Sequence, residues 1–283
     1  MEKKEILEKI NKDFETFNYF DVWNNFENYI DKIKEYIQPE FKKYSSGLMV
    51  DFTESIEEII TTTFITNNIF DYIVEKNKKN VLIFAHHPYY QKQIDNSWHD
   101  SISKNIEVLK NNKIAIYVCH MALDFHSELS TAYYFAKELI KDFQGRLSYK
   151  YKDNEVECEY YGEAIENLME RIESLSKKTM FYQFNDTKPK KICCSPGGGN
   201  IIDIIKLAKE KNVDTYITGV SEFKGVNSIS RNKAYFEELE KIGINIIGLG
   251  HYETECIAMK RLVKDYFSKY NIKTEYFKDK FYE

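Results

Sequence analysis

The sequence predicts an α/β protein made of two similar αβ halves, and three observations carry that expectation. Short apolar runs, Val81-Leu82-Ile83-Phe84-Ala85 and Ile114-Ala115-Ile116-Tyr117-Val118, alternate with helical stretches, as a parallel sheet covered on both faces requires. The alternation returns later with Lys191-Ile192-Cys193-Cys194, Thr215-Tyr216-Ile217-Thr218 and Asn245-Ile246-Ile247-Gly248. No Pro-, Ser- or Gly-rich linker separates the two series, so a joint interface between the halves is expected rather than beads on a string.

The elements follow in order. Residues 1–44 read as a helical extension of two or three amphipathic helices, with Ile6, Leu7, Ile10 and Phe14, then Tyr29, Ile33, Tyr36 and Ile37, at three- and four-residue spacings. Residues 45–283 form the α/β domain, its halves at about 45–145 and 185–283. The first half carries helices near 65–76 and 101–111. A connecting segment places helices at 129–141 and 161–177 around a hairpin at 146–160, where Tyr and charged residues alternate. The second half carries helices at 200–211, 231–241 and 252–268.

Composition narrows the class. A net charge of −5 over 283 residues lacks the basic excess of a nucleic-acid binder. Five cysteines, odd in number and without Cys-x-x-Cys spacing, argue against a disulfide scaffold. No apolar run approaches the roughly 18 residues of a membrane span, so no membrane partner and a cytoplasmic location are expected.

Four of the six histidines fall in short motifs after apolar strands. His86-His87 closes a strand just before Pro88, where side chains are presented at the carboxyl edge of a sheet. Neighbouring residues on a strand point to opposite faces, so the pair suits two ions a few Å apart better than one. Asp124 follows the next strand and could bridge ions held by histidines of the adjacent loop. His120, four residues earlier, is either a ligand or a partner that orients one. His251 and Glu255, spaced i, i+4 at the start of a helix, share one face and form a chelate. Read singly, each motif has an ordinary explanation: loop histidines bonded to backbone or water, a helix N-cap for Asp124, a self-capping Glu255. Imidazoles and carboxylates without thiolate suit two divalent transition-metal ions such as Zn, Mn, Fe or Co. Cys119 and Cys256 read as small core residues.

Ser195-Pro196-Gly197-Gly198-Gly199-Asn200 links a strand to a helix. Its Gly197, Gly198, Gly199 and Asn200 could hold a phosphate on backbone N–H groups, although the stretch matches neither a dinucleotide fingerprint nor a P-loop and also reads as a plain tight turn.

In this order, His-His-Pro, His-x-x-x-Asp, the glycine-rich turn, Thr218-Gly219 and Gly-His-x-x-x-Glu resemble the Nif-three-like family of dinuclear metal-binding proteins, often labelled GTP cyclohydrolase type two-like. The resemblance runs from about Gly47 to Arg261. It implies an α/β fold with the metal pair between two halves, and His86, His87, Asp124, His251 and Glu255 as ligands, Asp124 and Glu255 bridging. It further implies assembly of the chain with itself into a homohexamer. Two functions follow as expectations: a metal-dependent hydrolase acting on a nucleotide or other phosphorylated small molecule, or a non-catalytic metal-binding, trafficking or scaffold protein. The cyclohydrolase label finds no guanine-recognition pattern here.

Overall fold

The computed structural model describes residues 2–21, 23, 33–151 and 154–282. It contains two compact units, one of Met1–Lys92, Ser97–His126 and Met259–Glu283, the other of Gln93–Asn96 and Ser127–Ala258. The unit boundaries therefore fall elsewhere than the linear halves 45–145 and 185–283, and residues before 45 are counted within the first unit. The reason lies in strand pairing, because the end of the chain returns to the first sheet.

In the first unit, β1 (Gly47–Asp51), β2 (Glu58–Thr62), β3 (Val81–Ala85), β6 (Ile114–Val118) and the last strand, β13 (Lys273–Tyr276), form one sheet in the order β1-β6-β3-β2-β13. β13, β2, β3 and β6 run parallel, and β1 joins the edge antiparallel. Every residue of β2, β3 and β6 is buried, which is why their sequences lack an alternating pattern. β2 was not legible as a strand, since Glu-Ile-Ile-Thr-Thr is half polar. Its threonines are accommodated because Thr61 Oγ1 donates to the Met259 carbonyl at 2.8 Å and Thr62 Oγ1 to that of Phe64 at 2.9 Å. A short antiparallel ribbon pairs β4 (Tyr90–Gln91) with β5 (Trp98–His99).

The helices of this unit are α1 (Lys3–Asp13), α2 (Pro39–Tyr44), α3 (Asn67–Glu75), α4 (Ile106–Asn111) and the single turn α5 (Met121–Asp124). α1 buries Ile6 and Ile10, as its spacing predicts. Tyr29 lies outside the described residues. Ile37, expected in a helix, instead makes an antiparallel bridge with Val50, because Pro39 starts a new helix immediately afterwards. The predicted helix at 101–111 is shorter: Asp100 Oδ1 accepts from the backbone of Ile102 and Ser103, a 3-10 turn follows, and the α-helix begins only at Ile106.

The second unit contains α6 (Thr131–Leu139), the hairpin β7 (Ile140–Tyr151) with β8 (Asn154–Ala164), α7 (Leu168–Leu175), β9 (Met180–Tyr182), β10 (Lys191–Ser195), α8 (Ile202–Glu210), β11 (Thr215–Thr218), α9 (Ser228–Ile242) and β12 (Asn245–Gly248). The sheet order is β7-β8-β10-β11-β12-β9, with β10, β11 and β12 parallel and the strands beyond them antiparallel. The hairpin is longer than the expected 146–160, so 161–164 are strand rather than helix. Their pairing with β10 decides this, Tyr161 standing opposite Cys193 and Gly162 opposite Ile192. A core of Phe135, Leu139, Ile172, Ile192, Cys194, Ile217, Ile247 and Leu249 fills the sheet face beneath α6 and α7. After β12 the chain turns at Gly250 into α10 (His251–Asp265). The five cysteines are free thiols. Among the described residues no helix is long and apolar enough to cross a membrane.

Candidate metal centre

In the first unit, His86 and His87 extend β3: their backbone N–H groups donate to the carbonyls of Thr62 at 3.0 Å and Thr63 at 2.8 Å. The side chains are 0% and 1% exposed. His120, from the turn after β6, joins them, with ring centroids 4.9 Å from His86 and 4.6 Å from His87, and His86 and His87 are 4.3 Å apart. One ligand nitrogen from each of the three lies within 4.8 Å of the others. Asp124 faces the same cluster, its Oδ1 3.5 Å from His86 Nε2 and its Oδ2 3.7 Å from His120 Nε2.

The ring orientations are set from behind. His86 Nδ1–H donates to the Cys119 carbonyl at 2.9 Å, which leaves Nε2 with the lone pair on the Asp124 side. His120 Nδ1 is held by Asp21 Oδ2 at 2.7 Å, and the same oxygen accepts from the Met121 N–H at 3.3 Å. Burial opposes protonation of His120, but the charge and hydrogen bond of Asp21, aided by Asp124, outweigh it and raise the ring's pKa. Trp23, Phe64 and Trp98 wall the cluster with rings 4.8–5.3 Å from His87. Apolar walls of this kind make charge–ligand interactions stronger than in water.

Asp124 is not a helix N-cap. It ends the turn α5, where His120 holds the N-cap position. Cys119 is fully buried, and burial, with the charges of Asp124 and Asp21 added, pushes its thiol well up, so it is a core residue rather than a thiolate.

The second unit presents its donors from one helix. His251 Nε2 lies 3.0 Å from Glu255 Oε1, with side chains 11% and 5% exposed. Gly197, at φ +62°, passes so close that a Cβ there would collide with Glu255 Oε1 and stand 3.2 Å from His251 Nε2. Its N–H donates to Thr254 Oγ1 at 3.0 Å, which fixes the glycine turn against the helix start. Gly198 faces open space, and α8 begins after Ile201 without a side-chain cap. Glu253, on the same first turn, is largely buried, and burial raises its carboxyl pKa despite Lys178 at 3.9 Å.

The expected residues thus fall into two sets, His86, His87 and Asp124 with His120 in one unit, His251 and Glu255 in the other. Asp21 was missed. It stands 99 positions before His120 with no periodic or motif signal. The donor chemistry fits a divalent transition metal: imidazoles locked by backbone or carboxylate partners, carboxylates beside them, no thiolate.

These features define an α/β protein whose buried His and carboxylate groups can hold a metal ion. The chain belongs to the family described as Duf34/NIF3 (NGG1p interacting factor 3), whose model matches residues 24–280. A relative from Pasteurella multocida, named GTP cyclohydrolase 1 type 2 homolog, is 28% identical over 244 residues, covering 83% of this chain and 88% of its own. Among solved structures, the protein ybgI, described as of unknown function, superposes with a TM-score of 0.67 at 20% identity over 98% of both chains. A Bacillus cereus protein related to NIF3 gives a TM-score of 0.59 at 15% identity, covering 89% of this chain and 96% of that one. At these identities the structural likeness speaks for the fold.

Proposed function

We propose that this chain binds two divalent transition-metal ions through His86, His87, Asp124, His251 and Glu255 and hydrolyses a nucleotide or other phosphorylated small molecule. The observation that carries the reading is the gathering of two buried histidines, the half-buried His120 and Asp124 at the carboxyl ends of β3 and β6. Bound there, such ions supply Lewis acidity and an acidified water. The chain's own contribution is to fix the imidazole tautomers, keep solvent from the back of the rings and place Asp124 as an acceptor beside them. In the loop Gly197, Gly198, Gly199 and Asn200 before α8, the Gly197 N–H is taken by Thr254 Oγ1, and Gly198, Gly199 and Asn200 are the residues we assign to a phosphoryl oxygen. The name shared by the relatives, GTP cyclohydrolase 1 type 2 homolog, points to a nucleotide within that substrate class.

The complete burial of His86 and His87 favours a second reading, in which the donors saturate the ions and the protein stores or delivers metal. Metal analysis of the purified protein, followed by a phosphoesterase panel with and without chelator, separates the two. Turnover abolished by chelator and restored by metal supports the hydrolase. Metal retained without turnover on any phosphorylated substrate supports the store.

Self-association belongs to the same proposal. The second unit exposes Ile94 (84%), Val226 (88%) and, in the first turn of α9, Ile229 (87%), and the segments before Ile94 and Val226 meet where Lys224 Nζ donates to the Gln93 carbonyl at 3.1 Å. Apolar side chains of that exposure suit a subunit interface, and we assign them to the assembly of a homohexamer.

A further inference from the structure

We propose that Asp21 is a positioning residue that turns His120 into a third imidazole donor of the first unit's metal cluster. The inference rests on the metal-binding reading above, but neither residue belongs to the proposed ligand set, and Asp21 precedes the stretch 24–280 that matches the family.

The geometry comes from burial and hydrogen bonding. The Asp21 side chain is 1% exposed, so its carboxylate sits out of water. Such burial is costly unless the charge is partnered, and its partners include His120 Nδ1 at 2.7 Å and the Met121 N–H at 3.3 Å. The bond to Met121 anchors the carboxylate to the turn that carries His120. The bond to Nδ1 settles the ring: with Nδ1 as the N–H donor, Nε2 is the atom that faces Asp124 Oδ2 at 3.7 Å and the two neighbouring histidines. Trp23 packs its ring 5.1 Å from His120 and 5.3 Å from His87, a bulky wall against which the imidazole rests.

A carboxylate behind a histidine raises the basicity of the far nitrogen and fixes its direction, and loss of such a partner typically costs metal sites about 10- to 100-fold in affinity. His86 receives the same support from a neutral carbonyl, that of Cys119. His120 Nδ1 is thus backed by a charged carboxylate, and His86 Nδ1 by a neutral carbonyl.

The test uses the full chain loaded with Co(II), whose visible spectrum reports the ligand set. Asp21→Ala and His120→Ala should each weaken Co(II) binding about 10- to 100-fold and change the visible bands in the same way. Asp21→Asn should fall between, and Asp21→Glu should recover part of the wild-type spectrum. Long-range proton–nitrogen NMR of the metal-free wild type should show His120 as the Nδ1–H form, a readout that needs no metal. Because Asp21→Ala removes a buried group and could fail to fold, the near-isosteric Asp21→Asn carries the comparison in that event. Wild-type affinity and spectrum in His120→Ala would overturn the donor role of His120. A spectral change in His120→Ala with none in Asp21→Asn would overturn the positioning role of Asp21. If the wild type takes up no Co(II), the metal reading fails and this inference falls with it, whereas loss of Co(II) only in His86 or His87 variants overturns the inference alone.

Discussion

The two compact units make donor groups by different means. In the second, His251 and Glu255 are brought together by one turn of helix, and the distance of 3.0 Å between their tips is a property of i, i+4 spacing. In the first, the donors come from the ends of two strands, and their orientation depends on groups remote in sequence: Thr62 and Thr63 for the backbone, Cys119 for His86, Asp21 for His120. A locally encoded pair survives small changes in the fold, while a pair gathered by packing is as sensitive as the packing. The second unit still depends on one tertiary contact, since the backbone of Gly197 must pass beside Glu255 without a side chain.

That contrast can be tested by perturbing one unit at a time. The largest effect is expected from His87→Ala, which removes a fully buried imidazole. Metal content measured by atomic emission should fall by at least one ion per chain, and unchanged content would take His87 out of the metal centre. His251→Ala should also lower content, because it removes one arm of the helical chelate. If it does not, the second unit's pair is an ordinary hydrogen bond.

Next in size is Lys78→Met. The Lys78 ammonium is buried at the other end of the first sheet, 2.6 Å from Glu58 and 3.1 Å from Glu275. Removing it takes one of two lysine partners from the buried Glu58 carboxylate and leaves Lys273 at 2.8 Å, so thermal unfolding should show a loss of about 1–3 kcal/mol. Metal content should not change if the two ends of the sheet are independent. The same network fixes a pH dependence. Burial alone would raise the Glu58 pKa, but Lys273 and Lys78 outweigh it and hold the carboxyl below its ordinary value. A folded-state pKa below the unfolded one contributes stability that is present above the unfolded value, near 4.5, and is lost as the pH falls through the folded value. Acid unfolding of Glu58→Gln should accordingly be shallower than that of the wild type below about pH 5.

Gly197→Ala should cost about 1–3 kcal/mol, because φ +62° strains a residue with a Cβ and the new methyl displaces Glu255. Reduced metal occupancy beyond that of a surface control, measured on the folded fraction, would show that the glycine turn shapes the second unit's donor pair. Asp124→Asn is expected to reduce activity more than stability, since an amide of the same volume binds cations poorly. A variant that cannot fold with or without metal would shift Asp124 to a structural role. The smallest effect concerns assembly: light scattering should find a particle well above 33.7 kDa at low micromolar concentration, and Val226→Ser with Ile229→Ser should shift it towards smaller species without loss of metal. A wild-type monomer would dismiss the homohexamer and leave the metal sites standing.

The amino-acid sequence by itself determined the α/β class and the central strands β3, β6, β11 and β12 to the residue, because a strand buried on both faces must be a short continuous apolar run. It also marked His86, His87, His120, Asp124, His251 and Glu255, since a few histidines at strand ends stand out against an apolar background. Tertiary structure alone decided the rest. β2 and β13 are half polar and become strands only through pairing with each other and with β3. The extension of β8 through Tyr161 and Gly162 was set by β10, which overrode a helical reading. Asp124 read either as a ligand or as a cap, and only the fold places its carboxylate beside His86 and His120 and the N-cap at His120. Asp21 carried no local signal at all, because a hydrogen bond that spans 99 positions is specified by packing and not by spacing.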